Sequence, residues 1–513
     1  MTSLFITNAL IKTMNPDFPG ADSLFIQDGR ILALGIREKL QGLKNSHTEY
    51  IDLNGRTVLP GFMDAHLHLR ALAESLVTVN LSPDHGISSI SHIQERIHQE
   101  TLKHPFGSWI RAGAYNEVYL AEQRDPTRWD LDQAAPHHPV RLTHRSGHAQ
   151  VLNTLALNLL NITIETPDPP GGLMERDMET GEPNGIFYGT GDFLSSLMPP
   201  LEKSLLEQGV KLANQELIKN GITSFCDASS RNDLERWQSF AQWITDGILD
   251  SRVMMMLGVK VFREYQANPF PMTVDRNQLM PGPVKIILEE TTGKLYPTLE
   301  DLNEIVFSIH KAGLQVAIHA IEEPGVEAAC IAIEQALVRY PRKDPRHRIE
   351  HCSLCPPSLI RRIASSGIMV VSNPNFIYFS GDRYLKTITP PRMNTLYPFA
   401  SLIKNNVIMA GGSDAPIAPV NPLAGIYGAV TRRAREGGMV VKEEKIDVYA
   451  AIALYTKNAA RSLFEEHQRG SIAPGKLADL VVLSDNPFAV DEEALKDIQV
   501  EMTIVGGRVA FGL

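Results

Sequence analysis

From Val58 to Ser413 the chain repeats one pattern, a short apolar run followed by a longer stretch with helical spacing. The runs are Val58–His66, Ile222–Asp227, Arg252–Leu257, Val284–Glu289, Gln315–His319, Arg348–His351, Ile368–Ser372 and Val407–Ser413. From the second onward they recur every 20–40 residues or so, roughly what one strand-helix unit consumes. Strands alternating with helices predict a parallel sheet, and about eight of them predict a closed (β/α)8 barrel of the TIM type. The predicted fold class is therefore α/β.

One interval breaks the rhythm. An insertion over about 70–220 carries strand-like runs of its own, Trp109–Gly113 and Val140–Thr143, and the turn-rich segments Pro167–Gly172 and Gly181–Gly185. Insertions of this size follow the C-terminal ends of barrel strands, so we expect a cap that shapes a substrate pocket. The two chain ends read differently. Short strands at Ser3–Asn8, Ser23–Gln27 and Arg30–Leu34, with Asp28-Gly29 as a hairpin turn, match Leu480–Leu483, Met502–Val505 and Arg508–Phe511 with Gly506-Gly507 as a turn. Neither end holds enough strands for a stable sheet alone. The expected organisation is a small composite β-sandwich from residues 1–57 plus 466–513, and a barrel over 58–465.

The barrel strands end in chemistry. His66 and His68 stand one residue apart at the close of the first run, and alternation along a strand puts both on one face. The run Val284–Glu289 places Lys285 and Glu289 on a shared face. Two further runs end in His319 and His351, and the last ends in Asp414. A closed barrel sends all of these toward one mouth. Neutral imidazole and carboxylate oxygen are the usual ligands of zinc and similar divalent metals. Lys285 does not fit as an ammonium. It is either neutral or carries a carbamate that turns it into an anionic bridge, and Glu289 is the alternative bridge. Other histidines, among them His92, His98 and His347, stand in polar or helical contexts and read as surface residues.

Composition narrows the class. The chain has 513 residues, a formal net charge of −10 and no basic patch of the kind a nucleic-acid binder needs. Four cysteines in this length exclude a disulfide scaffold, and Cys352-Ser-Leu-Cys355 has no second pair to complete a zinc site. No eighteen-residue apolar stretch and no signal-peptide pattern appear, so we expect a cytoplasmic protein with no membrane or nucleic-acid partner. The expected partner is a small-molecule substrate, and a homodimer is left open.

These motifs resemble the amidohydrolase superfamily. The resemblance runs from Val58-Leu-Pro-Gly-Phe-Met-Asp-Ala-His66-Leu-His68 through Gly412-Ser-Asp414-Ala-Pro to the tail Gly470-Ser-Ile-Ala-Pro-Gly-Lys-Leu-Ala-Asp-Leu-Val-Val-Leu. Within it the chain is similar to amidohydrolase family 3, the YtcJ-like branch, through Arg145-Ser-Gly-His148-Ala-Gln-Val-Leu-Asn153 and Arg346-His-Arg-Ile-Glu-His351. The resemblance implies one or two divalent metals, with zinc expected. His66, His68 and Asp414 would hold the more buried metal and His319 and His351 the more exposed one, with carboxylated Lys285 bridging them. His148 would bind or polarise the substrate carbonyl, although Arg145-Ser-Gly stands where the branch commonly has an Asp.

The chemistry this predicts is hydrolysis of a C–N bond other than a peptide bond, in a linear or cyclic amide, by a metal-activated hydroxide. Asp414 would take the proton and pass it to the departing nitrogen. Deamination of an amino-substituted ring is the alternative, since Glu322 and Glu323 follow His319 closely, and a catalytically silent barrel is a further one. Trp109, Tyr115, Arg145 and His148 are the candidate substrate-binding residues, joined by Tyr378, Arg383, Tyr384 and Arg392. The segment Phe376–Pro391 reads as a turn-rich mobile lid.

Overall fold

The computed structural model describes residues 3–512. Eight strands pair in parallel, in sequence order, as one sheet. They are β1 (Phe62–Leu67), β2 (Ile222–Asp227), β3 (Arg252–Gly258), β4 (Leu279–Ile287), β5 (Val316–Ala320), β6 (Arg348–His351), β7 (Met369–Ser372) and β8 (Met409–Gly411). The sheet is a nearly closed barrel. Just past β8 the Asp414 N–H donates to the His66 carbonyl of β1 at 2.7 Å. Every residue of β2, β3 and β6 is buried, as expected of strands covered on both faces. Met63, Ala65, Cys226, Met254, Met256, Ala317, Val371 and Ala410 belong to one buried cluster drawn from six of the barrel strands.

The first apolar run departs from expectation. It is divided between two sheets, Thr57–Pro60 in one and β1 in the barrel. The break falls at Gly61, whose N–H donates to the Asp479 carbonyl at 2.8 Å while Phe62 N–H donates to Gly221 at 2.9 Å. A Cβ at Gly61 would stand 2.3 Å from Thr223 Oγ1, so only glycine brings the backbone this close to β2.

Two small sheets accompany the barrel. Arg30–Gly35, Ser23–Gln27, Ser3–Thr7 and Thr48–Asp52 form a four-stranded sheet from the N-terminal segment alone. Its hairpin turns at Asp28-Gly29, both with positive φ (48° and 78°), the geometry a two-residue turn requires. Leu10–Ile11, Thr57–Pro60, Leu480–Leu483, Val500–Val505 and Arg508–Phe511 form a five-stranded sheet from both chain ends. Leu4, Ile6, Leu24 and Ile26 of the first share one apolar cluster with Val58, Leu480, Val482 and Ile504 of the second. The buried Arg252–Asp479 ion pair, 2.8 Å, joins the start of β3 to the entry of the C-terminal strands.

The chain divides into two compact units, the first being Met1–Leu69, Ala213–Ile287 and Leu302–Leu513, the second Arg70–Leu212 with Leu288–Asp301. The second unit holds a six-stranded mixed sheet built from Leu173–Arg176, Pro183–Tyr188, Ala149–Leu152, Val140–His144, Ile110–Tyr115 and Val79–Asn80. Its core includes Ile93, Ile97, Leu131, Val140, Leu142 and Val151. No helix among the described residues is long and apolar enough to cross a membrane.

The segment expected to be turn-rich, Phe376–Pro391, is instead mostly helical, with helices at Asn375–Thr387 and Pro390–Met393. Phe376, Ile377, Ser380, Gly381 and Tyr384 are its buried positions, and their spacing of one, three and four residues is that of a helix face.

Candidate metal centre

Among the described residues, one group of side chains is placed to hold a metal ion: His66, His351 and Asp414, whose ligand atoms all lie within 4.8 Å of one another. His66 comes from β1, His351 from the end of β6, and Asp414 from the turn after β8. His68 joins them through a 3.1 Å contact of its Nε2 with Asp414 Oδ1. His319 joins through its ring, 4.5 Å from that of His351. Lys285, buried on β4, brings Nζ to 3.5 Å from His66 Nε2. All six expected ligands thus gather at one end of the barrel. Within the set, His351 sits with His66 and Asp414.

Backbone geometry explains that grouping. Alternation along β6 would point His351 away from the face that carries Glu350. His351 has φ 71° and Cys352 φ 50°, left-handed values that turn the His351 ring back toward His66, 4.8 Å between centroids. Asp414 also has a positive φ, 56°. Such conformations cost of order 1 kcal/mol or more and persist where the surroundings impose them.

A second layer fixes each ring. His66 Nδ1 contacts the Glu350 carboxylate, which Arg348 grips with Nε–Oε1 of 2.6 Å and Nη2–Oε2 of 2.9 Å. His351 Nδ1 donates to Asn373 Oδ1 at 2.7 Å, and Asn373 Nδ2 donates to the Gly412 carbonyl at 3.0 Å. Asp64 accepts the His66 and Ser413 N–H groups. Asn375 Nδ2 donates to the Ser413 carbonyl at 3.1 Å. Glu350, Arg348, Asp64 and Asn373 were not singled out from the sequence. The available signal was charge inside apolar strands, above all Arg348 and Glu350 at alternate positions of a buried run.

The protonation states suit metal binding. Burial, then the Lys285 and His351 charges, hold His66 well below the ordinary histidine range. Burial also lowers His351. Both imidazoles are therefore neutral, the state that ligates. Burial alone would raise Asp414, but the hydrogen bond from His68 and the nearby His351 and His66 outweigh it and keep the carboxylate ionised. Burial pushes Lys285 down to about 8, against the opposing pull of Glu350 and Asp414. The His66 and His351 imidazoles and the Asp414 carboxylate, with the Nδ1 atoms of both rings already committed, fit a divalent cation such as zinc.

Two expectations need correction. Glu289 does not share a strand with Lys285. The pairing of β4 stops at Ile287, and Glu289 instead exchanges backbone bonds with Tyr296 (2.8 and 2.9 Å) inside the second unit. There burial raises its carboxyl, while His148 and a bond from Thr291 oppose the shift. His347 is not a surface residue. It is 1 % exposed, with Nε2 2.7 Å from His310 Nδ1 and Nδ1 accepting the Val316 N–H at 3.1 Å. Its place just before β6 sets it against Val316 at the start of β5. Glu322, kept for the deaminase alternative, is paired with Arg392 at 2.8 Å, and Glu323 opens the helix Glu323–Arg339.

Of the substrate-binding candidates, Trp109, Tyr115, Arg145 and His148 lie in the second unit, and Tyr378, Arg383, Tyr384 and Arg392 lie in the first. Tyr115 is fully buried and its hydroxyl donates to Asp125 at 2.8 Å. Trp109 packs partly buried against the cluster of Leu152, Ala156 and Phe187. Arg145 is half-buried, its N–H donating to the Tyr115 carbonyl at 2.9 Å. His148 is exposed, its N–H reaching Ser146 Oγ at 3.3 Å.

A parallel barrel that gathers imidazoles and a carboxylate at the C-terminal ends of its strands defines a class, the barrel proteins with a metal-type site at that face. The chain belongs to the amidohydrolase family, whose sequence profile matches residues 49–511. Membership supports a metal-dependent hydrolase. Over 98% of this chain and 98% of the relative, it is 29% identical to the YtcJ protein of Bacillus subtilis (strain 168). It is 27% identical to the N-substituted formamide deformylase of Arthrobacter pascens, covering 100% of this chain and 98% of that one. Among solved structures, an uncharacterized metal-dependent hydrolase from Pyrococcus horikoshii OT3 shares the fold with a TM-score of 0.75 at 24% identity, over 96% of this chain and 99% of the other.

Proposed function

We propose that this protein hydrolyses a C–N bond outside peptides, in a linear or cyclic amide. The observation that carries the reading is the joint placement of His66, His351 and Asp414 within 4.8 Å, with the remaining ring nitrogens tied to Glu350 and Asn373. A divalent cation held there, zinc by its donor set, supplies a positive centre that polarises a carbonyl and acidifies water. His66 and His351 would hold it through Nε2, with His68 and His319 completing the set. Asp414 stays ionised beside them and accepts the proton of the attacking water, then delivers it to the leaving nitrogen. His68 holds Asp414 for this through the 3.1 Å contact.

Finer assignments follow. Lys285 is the residue that would carry a carbamate, its nitrogen joining the carbon of carbon dioxide as a proton leaves, and would then offer an anionic ligand to a second cation. His148 and Arg145 are the first candidates for substrate binding, followed by Trp109 and Tyr115. Residues 1–57 and 466–513 are read as one composite β-sandwich, supported by the apolar cluster their strands share. The named activity of the Arthrobacter relative makes N-substituted formamides the first substrates to try.

The test is a screen of zinc-loaded protein with N-substituted formamides, N-acyl amino acids and cyclic ureides. We expect hydrolysis of one class, and a loss of ~10²–10⁴ in turnover for Asp414→Asn with zinc retained. Near-normal turnover in that variant removes Asp414 from its role. Ammonia released from an aminated ring, with no amide cleaved, would replace this reading with deamination.

A further inference from the structure

A buried ion pair adjoins the metal centre without belonging to it. Arg348 and Glu350 stand two residues apart on β6 and share its face. Both are 0 % exposed. Two charges in a barrel interior carry a desolvation cost that their mutual attraction alone seldom recovers. Their contacts show what else they hold. Arg348 Nη2 donates to the Ala65 carbonyl at 2.9 Å as well as to Glu350 Oε2 at 2.9 Å. The same Glu350 oxygen takes the contact from His66 Nδ1. One pair on β6 therefore grips both the backbone immediately before His66 and the His66 ring, across the barrel on β1.

We propose that the Arg348–Glu350 pair is a positioning device that fixes the Nδ1–H tautomer of His66, aims Nε2 at the cation, and makes His66 a stronger ligand than His351. The inference rests on the metal-site reading above. A carboxylate engaged by a guanidinium accepts and does not donate, so the shared proton sits on His66 Nδ1 and the lone pair of Nε2 faces the site. His351 is oriented in the same sense, but by an amide: its Nδ1 donates to Asn373 Oδ1 at 2.7 Å. An imidazole backed by a carboxylate is a more basic donor than one backed by a neutral group. The two rings differ in this respect although they approach the same centre. Arg348 keeps Glu350 turned to the ring, because its planar fork holds both carboxylate oxygens at once.

The experiment compares the full-length parent with Glu350→Gln and Arg348→Met. Glutamine keeps the size and an accepting oxygen but removes the charge. Competition with a chromogenic chelator gives the zinc affinity of each protein. We expect both variants to bind zinc ~10–100-fold more weakly than the parent. In metal-free parent protein labelled with ¹⁵N-histidine, His66, assigned by its loss in His66→Asn, should show the Nδ1–H tautomer. A variant with lowered thermal stability but unchanged zinc affinity has lost only a structural contact, and that result overturns the proposal. An Nε2–H tautomer at His66 in the parent overturns it as well, and this measurement decides the matter if neither variant folds. A parent that binds no zinc instead refutes the metal-site reading on which the proposal rests.

Discussion

Asp64 on the first barrel strand accepts the backbone N–H of Ser413 at 3.1 Å from each carboxylate oxygen, and so joins the strand that carries His66 to the turn that carries Asp414. The same carboxyl accepts the His66 N–H at 3.0 Å. Asp64 is 1 % exposed and burial pushes its carboxyl up to about 7. Asp64→Ala leaves two buried amides without an acceptor, each worth about 1–3 kcal/mol. We expect a stability loss of ~2–5 kcal/mol in denaturant unfolding, with weakened zinc binding alongside it. Asp64→Asn, which keeps one oxygen, should lose less. Unchanged unfolding in the alanine variant would show that the seam is held elsewhere.

His347 predicts a pH dependence remote from the metal centre. Burial, then the charges of His310 and Arg342, lower it to about 3 from an ordinary 6.5. Its Nδ1 accepts from Val316, so its proton sits on Nε2 and is donated to His310, whose own Nε2 donates to the Tyr340 carbonyl at 2.6 Å. Arg342, bonded to the His310 carbonyl at 2.8 Å, is the cation facing this pair. The unfolded chain binds the proton first as pH falls below about 6.5, and the folded one resists it. The stability this pair gives is complete above about 6.5 and is lost progressively as pH falls from there toward about 3. His347→Gln preserves one acceptor and one donor but cannot titrate. The parent's melting temperature should fall between pH 6.5 and pH 4, roughly, more steeply than that of His347→Gln. Parallel slopes would exclude His347 as the cause.

Much of the barrel was legible from the chain. Ile222–Asp227 and Arg348–His351 have the bounds the apolar runs imply, because polar or turn residues stop each run where its strand stops. The break at Gly61 was not legible. The same apolar run serves two sheets, and nothing in its period changes where it crosses. The helix Asn375–Thr387 was hidden by its mixture of aromatic, charged and flanking Pro residues, although its buried face has helical spacing. The return of Leu288–Asp301 to the second unit has no local signature, since what places it there is contact with residues far away in the chain, Tyr296 against Gly171 and Thr291 against Gly189. The metal ligands stood out by residue type at strand ends. Asn373 did not, because what marks it is the ring it touches, and Glu350 showed only as a charge inside a buried run.

Gly61 can be tested directly. Its substitution by Ala sets a methyl group 2.3 Å from Thr223 Oγ1 and 2.4 Å from Thr223 Cγ2, on a side chain that is itself buried. Overpacking of this kind costs about 1–3 kcal/mol and can exceed that where β-strands must separate. Gly61→Ala should lower the denaturant midpoint, and Gly61→Ala with Thr223→Gly should recover part of the loss, since the second change removes the atoms in conflict. Additive losses in the double variant would mean that the glycine is required for another reason.

Metal removal gives the last prediction. A cation at His66, His351 and Asp414 links β1, β6 and the turn after β8, three elements far apart in sequence, and it binds only where folding has assembled them. Mass action then stabilises the folded state by ~4 kcal/mol when free metal is about a thousandfold above its dissociation constant. Chelation should lower the melting temperature, and zinc should restore it. The chelated protein should keep its far-ultraviolet circular dichroism at room temperature, because the seam bonds of Asp64 and the Asp414 contact with His68 need no metal. His351→Ala should shrink the shift that zinc restores. A metal-containing sample whose melting temperature ignores the chelator would separate the ion from this site.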